Sequence, residues 1–410
     1  MTDLLDLVDL QSAFTWFWTF ATLGAIVAIP RWLGLNKLNA LAYAQMTLAF
    51  NAITVIGGQQ AEMVDAGRSI HFFFTEFAFL VMTSMAYRQL IKHRKRVMDA
   101  LIALFSGQGG AWLTAFMFLV GVFNFLIVPT GGDSRIEYQT AVWFSALKPF
   151  IQVATPLAYF GAFVMLTLPK RRWLAMLLLL ATVGGNVLTG SKASFMFSIV
   201  TAFLALRDLS VFDEWKLRSA DRWKLAMVAV PLALFALARQ EVTPTSVADR
   251  FLLFGEATIL TYFSDTPTEA CRDVSTFASM HRGIARLLGD PSANDIDTLF
   301  GFALTKMNRG VNTFTGPNGR LSAYMICNFS GFRMVLGWFV IGVYFALLAW
   351  LLRRTWKKPL HLAVVYPYVV TSFGLASQDF NLIMADITLA LLLLASTIPL
   401  MAKRRPYAIG

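Results

Sequence analysis

The residues of this chain best suited to chemistry are cations set among glycines and other small residues. Thr189-Gly190-Ser191-Lys192-Ala193-Ser194 stands between two apolar stretches with almost no loop to separate them. A lone cation buried in hydrocarbon costs on the order of 2.5–3.5 kcal/mol or more, so Lys192 must face water, a lipid headgroup or an anionic partner. A tight turn of small residues gathers backbone N–H groups beside its ammonium, an arrangement suited to a phosphate. Gly131-Gly132-Asp133-Ser134-Arg135-Ile136-Glu137-Tyr138 is the second such place, with Arg135 the only cation of its loop. A guanidinium grips phosphate through paired N–H donors, unless Asp133 or Glu137 holds it in a local salt bridge.

A third group lies in the mixed-charge segment 239–330. Arg239, Gln240 and Glu241 open it, and Asp249-Arg250-Phe251-Leu252-Leu253-Phe254-Gly255-Glu256 reads as the start of an amphipathic helix. Arg272, His281, Arg282 and Arg286 follow, then Lys306, Asn308, Arg309 and the turn-rich Thr315-Gly316-Pro317-Asn318-Gly319-Arg320. Most of these charges read as a solvated surface, with two or three left to act on a substrate.

Other chemistries find little footing. There is no P-loop, G-x-S-x-G elbow, H-E-x-x-H pair or C-x-x-C. The four histidines, His71, His93, His281 and His361, are too scattered for a His-rich metal site. Asp133, Asp295 and Asp297 leave a carboxylate-held divalent cation as an alternative, but no metal or other cofactor is expected. Cys271 and Cys327 both fall in 239–330. An oxidising compartment permits a bridge between them, yet two unpaired small residues are the favoured reading.

These groups must be positioned by an unusually apolar chain. Of its 410 residues 57% are hydrophobic and only 14% charged, with mean hydropathy +0.60. Such a composition excludes an ordinary soluble domain and points to an all-α polytopic membrane protein. Apolar runs long enough to cross about 30 Å of hydrocarbon recur along the chain. About eleven spans are expected, at 14–30, 38–57, 70–87, 111–129, 141–168, 173–188, 193–206, 225–238, 334–352, 360–376 and 382–401, in one integral membrane domain over 1–410. The fifth is interrupted by Lys148 and Pro149, and no convincing internal repeat is visible. The first is not expected to be a cleavable signal, since acidic Asp3, Asp6 and Asp9 precede it.

Every second loop is basic: Arg31 and Lys37, then 88–96, 170–172, 207–224, 353–358 and 403–405. The positive-inside rule puts this set in the cytoplasm, with the N-terminus outside, the C-terminus inside and 239–330 a long outward loop between spans eight and nine. The net charge of +11 is then an orientation signal that touches the lipid bilayer rather than nucleic acid. Outward patches at 59–68, 130–139, 190–192, 378–381 and 239–330 are expected to converge.

The order of Ser134-Arg135-Ile136-Glu137-Tyr138 behind two glycines, Thr189 to Ser194, a long loop with Asp249-Arg250, and Asn328-Phe329-Ser330-Gly331-Phe332 ahead of Gly337 resembles the O-antigen polymerases. These polytopic membrane glycosyltransferases join oligosaccharide repeat units. The resemblance covers most of the chain in topology but only short pieces in residues. It implies an architecture like that of GT-C-type lipid-linked glycosyltransferases and ligases, in the bacterial inner membrane, with the long loop periplasmic.

What it implies chemically is transfer of a growing glycan from a polyprenyl diphosphate onto the terminal sugar of an incoming lipid-linked unit. The product would be a surface polysaccharide such as O-antigen, capsule or exopolysaccharide. The diphosphate leaving group needs fixed cations more than a nucleophile. On this carry-over Arg135, Lys192 and Arg250 clamp diphosphate, Arg239, Arg309 and Arg320 are weaker candidates, and Glu137 or Glu256 takes the acceptor proton. Tyr138, Phe251 and Tyr262 would stack on sugar rings. A flippase and a chain-length regulator are the implied protein partners. The nearest alternative is an O-antigen ligase delivering the glycan to the lipid A core, for which His281 would matter. A flippase or transporter is the alternative of another class, and there the charges within spans, Glu76, Lys148 and Asp386, would carry the function.

Overall fold

The structure is a computed structural model that describes residues 13–60, 62, 64–127, 142–188, 194–212, 261–262, 285, 288, 320–329, 331–377 and 380. These residues form helices and turns, with no strand among them. In chain order the α-helices are α1 (Ala13–Trp32), α2 (Ala42–Gln60), α3 (Ala66–Ile91), α4 (Arg94–Ser106), α5 (Gly109–Ile127), α6 (Val142–Thr167), α7 (Arg172–Leu188), α8 (Ser194–Asp208), α9 (Leu321–Asn328), α10 (Met334–Thr355) and α11 (Pro359–Ala376). Each apolar run expected at 14–30, 38–57, 70–87, 111–129, 141–168, 173–188, 193–206, 334–352 and 360–376 falls on one of them. The runs at 225–238 and 382–401 lie outside the described residues. Four described helices are long and apolar enough to cross a membrane, or five if the bent α4–α5 pair counts as one.

Burial sorts the helices. α11 is buried nearly all round, from His361 to Ala376, as expected of a helix at the centre of a bundle. α10 buries Gly337, Ile341, Tyr344, Leu348, Leu351 and Thr355, a seam alternating steps of four and three, and turns Val335, Leu336, Phe339 and Trp350 outward. α1, α3 and α5 likewise expose large apolar side chains, among them Phe17, Phe20, Phe74, Phe118 and Leu126. Water would penalise such faces heavily; a bilayer is the solvent in which they are stable.

Helix ends follow their sequences. α1 closes with a Schellman motif: Leu35 N–H bonds Pro30 O at 2.9 Å, Gly34 N–H bonds Arg31 O at 2.9 Å, and Gly34 takes φ +81°. α8 ends the same way, Val211 N–H reaching Leu206 O at 3.0 Å, but the left-handed position is Ser210 at φ +61°. At the start of α3 the Asp65 carboxylate accepts from Arg68 N–H at 2.8 Å.

The basic loops that alternation assigns to one side do meet at one end of the bundle. Asn36 Nδ2 donates to Asp208 Oδ1 at 2.9 Å, and Arg94 Nη1 to Ser210 Oγ at 3.3 Å. Arg171 Nη2 reaches Ser106 O at 2.9 Å, while the rings of His93 and Trp356 stack edge-on at 4.7 Å.

One difference from the expected topology lies in 88–110, read above as a cytoplasmic loop leading into a span from 111. Its second half is α4, which bends 70° against α5. The reason is periodicity: Val97, Ala100, Leu101 and Phe105 lie on one helical face and are all buried. α4 packs chiefly on α11, and its Phe105 ring fits over Gly161 of α6 so closely that a Cβ there would come within 2.2 Å. The expected interruption of span five at Lys148 and Pro149 does not break α6, whose backbone is continuous from Val142 to Thr167.

Candidate functional site

α3 buries the polar side chains Ser69, Thr75, Glu76, Thr83 and Ser84 within the described bundle. Ser69, Phe72, Thr75, Glu76 and Phe79 recur at helical spacing and are buried, so a carboxylate is carried into the packed interior on an otherwise apolar face. What receives it is α9, the end of the segment 239–330. Arg320 is the N-cap residue of α9 and offers that helix no side-chain cap. Glu76 fills the gap from across the bundle: its Oε1 accepts from Ser322 N–H at 3.1 Å, and its Oε2 accepts from Arg320 Nη2 at 2.6 Å. One carboxylate thus satisfies an orphan amide at a positive helix end and neutralises a guanidinium.

The two side chains are 2% and 1% exposed, which makes this a desolvated ion pair. Arg320 is only half used by it. Its Nε and Nη1 are buried and have no hydrogen-bond partner among the described residues. In a low-dielectric interior such donors are costly unless an acceptor arrives.

About one and a half to two turns nearer the start of α3, a second anchor holds the same segment. Arg68 donates from Nη1 to the Tyr262 carbonyl, and the Tyr262 hydroxyl lies 2.7 Å from His71 Nδ1. The Tyr262 ring is fully buried, with Phe72 edge-on at 6.3 Å. Burial pushes its phenol well above the ordinary range and the Glu76 carboxylate adds to that, so the hydroxyl remains a protonated donor. Stacking of Tyr262 on a sugar ring, as the resemblance suggested, is therefore not open to it: both faces are already packed away from solvent.

Described residues from three of the five patches expected to face outward come together. Arg68 ends the patch 59–68, Tyr262 and α9 belong to 239–330, and Phe380 of 378–381 packs on Tyr324 of α9 at 5.1 Å between ring centres. Of the clamp and base candidates, Arg320 is placed as above. Arg135, Glu137, Tyr138, Lys192, Arg239, Arg250, Glu256, His281 and Arg309 lie outside the described residues, as do Asp133, Asp295, Asp297 and Asp386.

Cys327, in the last turn of α9, is disulfide-bonded, so the favoured reading of two unpaired cysteines is corrected. Cys271, the other cysteine of the sequence, lies outside the described residues. Among the described residues no group of His, Cys, Asp and Glu has the arrangement of a metal site.

At the opposite end of α3, a second polar knot fixes the bundle. Asp208, buried at the end of α8, accepts from Tyr87 Oη at 2.9 Å and from Asn36 Nδ2 at 2.9 Å, with Arg207 Nη2 at 3.4 Å. These three neighbours are all donors, and Asp208 is too buried to be a reaction centre.

Sequence reading missed the Glu76–Arg320 contact and the buried state of α9. The signal was faint but present: Leu321, Ala323, Tyr324 and Met325 follow Arg320 as an apolar cluster too dense for a solvated loop. No protein-family model matches the chain, and no curated protein or solved structure is detectably similar to it.

Proposed function

We propose that the chain is a polytopic membrane glycosyltransferase that polymerises polyprenyl-diphosphate-linked oligosaccharide repeat units into a bacterial surface polysaccharide. It would work on the periplasmic face of the inner membrane, with the N-terminus periplasmic and the C-terminus cytoplasmic. The order of Arg135, Lys192 and Arg250 in outward patches between apolar helices carries this reading. Two features support it: the buried attachment of 239–330 to α3 through Arg320 and Tyr262, and the disulfide at Cys327, a bond typical of oxidising compartments.

In the reaction, a hydroxyl oxygen of the acceptor's terminal sugar attacks the anomeric carbon of the donor. The bond from that carbon to the diphosphate oxygen breaks and its electron pair leaves with the lipid diphosphate. The hydroxyl proton passes to Glu137 or Glu256, and Arg135, Lys192 and Arg250 stabilise the charge that develops on the leaving group. Arg320, whose Nε and Nη1 have no partner among the described residues, is a further cation of the same kind.

A second reading, transport of a lipid-linked or anionic substrate, is favoured by one observation. Ionisable residues within spans mark translocation pathways, and Glu76 of α3 is such a residue, paired with Arg320 from 239–330. Single replacement of Arg135, Lys192 and Arg250 by Ala tests the first reading. Each variant, at normal protein level, should lose polymer by at least a hundredfold; unchanged chain length in all three overturns the clamp.

A further inference from the structure

The end of the bundle that gathers the basic loops contains a cleft of about 780 Å³, walled by the α3–α4 and α10–α11 turns. Lys92, Arg94, Lys95, Arg96 and Lys357 line it, together with His93 and a single carboxylate, Asp99. On a convex, solvated surface like charges spread apart. Here five cations converge on one concavity, and none of them belongs to an ion pair among the described residues. A concave wall of low dielectric focuses their field and raises the local concentration of anions.

The cleft is built rather than incidental. Trp356 forms part of its wall, with Arg96 held over the ring at 5.5 Å and His93 edge-on at 4.7 Å. Arg94 is tethered to Ser210 at 3.3 Å. Behind the lining, Val97, Leu101 and Phe105 bury α4 in the bundle, so the cations stand on a rigid element. The first turn of α4 is part of the lining and no side chain caps it; the Arg96 and Val97 N–H groups both donate to His93 O, which leaves the Arg94 and Lys95 amides at a positive helix end for an anion.

We infer that this cleft is a binding site for a ligand carrying two neighbouring phosphates. With five cations against one carboxylate, Asp99, a single phosphate of at most about two negative charges would leave about half of the net positive charge of the lining uncompensated. The volume lies within the roughly 300–1,000 Å³ of small-molecule sites, enough for a headgroup or a compact diphosphate. Two sources share this chemistry: a diphosphate lipid headgroup reaching up from the bilayer, and a soluble diphosphate. The inference is independent of the glycan chemistry proposed for the other end.

Two probes distinguish them on the full-length protein in neutral detergent: cardiolipin by native mass spectrometry, against phosphatidylcholine, and pyrophosphate by calorimetric titration. Saturable binding of cardiolipin alone identifies a lipid headgroup, and saturable binding of pyrophosphate a soluble ligand. In either case Lys95→Gln/Arg96→Gln/Lys357→Gln should weaken binding tenfold or more. Lys92→Gln/Lys95→Gln/Lys357→Gln, which keeps Arg96 on Trp356, should weaken it in the same direction and guards against misfolding of the first variant. Lys37→Gln/Lys170→Gln/Arg354→Gln, which removes as many charges from outside the lining, should leave it unchanged. Failure of both probes to saturate, or equal losses in the lining and control variants, overturns the site.

Discussion

Glu76 and Arg320 stand 244 positions apart in the sequence, yet the guanidinium donates to the carboxylate at 2.6 Å with both side chains almost wholly shielded. This contact ties the end of 239–330 to α3 and leaves two guanidinium nitrogens without a partner among the described residues. Its energetics are asymmetric. Bringing two charges out of water offsets most of their attraction, so the pair adds little net stability, whereas removing one partner strands the other.

Glu76→Ala should therefore destabilise the protein by about 3–5 kcal/mol, while Glu76→Leu/Arg320→Met, which strands only the Ser322 amide, should cost less, about 1–3 kcal/mol. Thermal unfolding in detergent reads both. A Glu76→Ala protein as stable as the parent would remove the ion pair from the account.

Asp208 should behave as a structural acceptor. Asp208→Ala leaves the buried Tyr87 hydroxyl without its acceptor, at about 1–3 kcal/mol, whereas the exposed Asn36 amide can turn to water and adds little. Asp208→Asn, which keeps a carbonyl oxygen, should cost less than Ala. Equal melting points for the two substitutions would mean that these hydrogen bonds are not what Asp208 supplies.

Much of this was legible in the sequence, and the exceptions have physical causes. Apolar runs announced the helices because a bilayer-facing helix is apolar on every side that is not packed. Alternating basic loops announced which loops share an end, since Asn36, Arg94 and Arg171 all find partners there. α4 was missed because Arg94, Lys95 and Arg96 mask an apolar stripe that begins only at Val97. Arg320 was read as exposed because local sequence cannot reveal a counter-charge on another helix, and Glu76 is such a long-range partner.

Close packing of α4 on α6 predicts a contrast between two glycines. Gly161→Ala would set a Cβ 2.2 Å from the buried Phe105 ring, and overpacking of this kind costs about 1–3 kcal/mol. Gly110→Ala meets the Met165 sulfur at 2.6 Å, the flexible part of an adaptable side chain, and should cost less. The order of the two melting points checks the α4–α6 contact, and a reversed order would contradict it.

Cys327 offers a test of sidedness. Reduction or Cys327→Ser should lower stability by about 2–4 kcal/mol, typical of a structural disulfide. In intact cells Cys327 should resist maleimide labelling until a reductant is added. A thiol that labels at once after gentle lysis, without reductant, would place this end of the bundle in a reducing compartment and reverse the proposed orientation.

The proposed polymerase activity meets its most direct test in the glycan profile of cells lacking the gene. Loss of long polysaccharide chains, with single repeat units still attached to the core and with length restored by the intact gene, is the predicted result. Loss of all attached glycan, or lipid-linked units stranded on the cytoplasmic face, would contradict it, the first in favour of a ligase and the second in favour of a flippase.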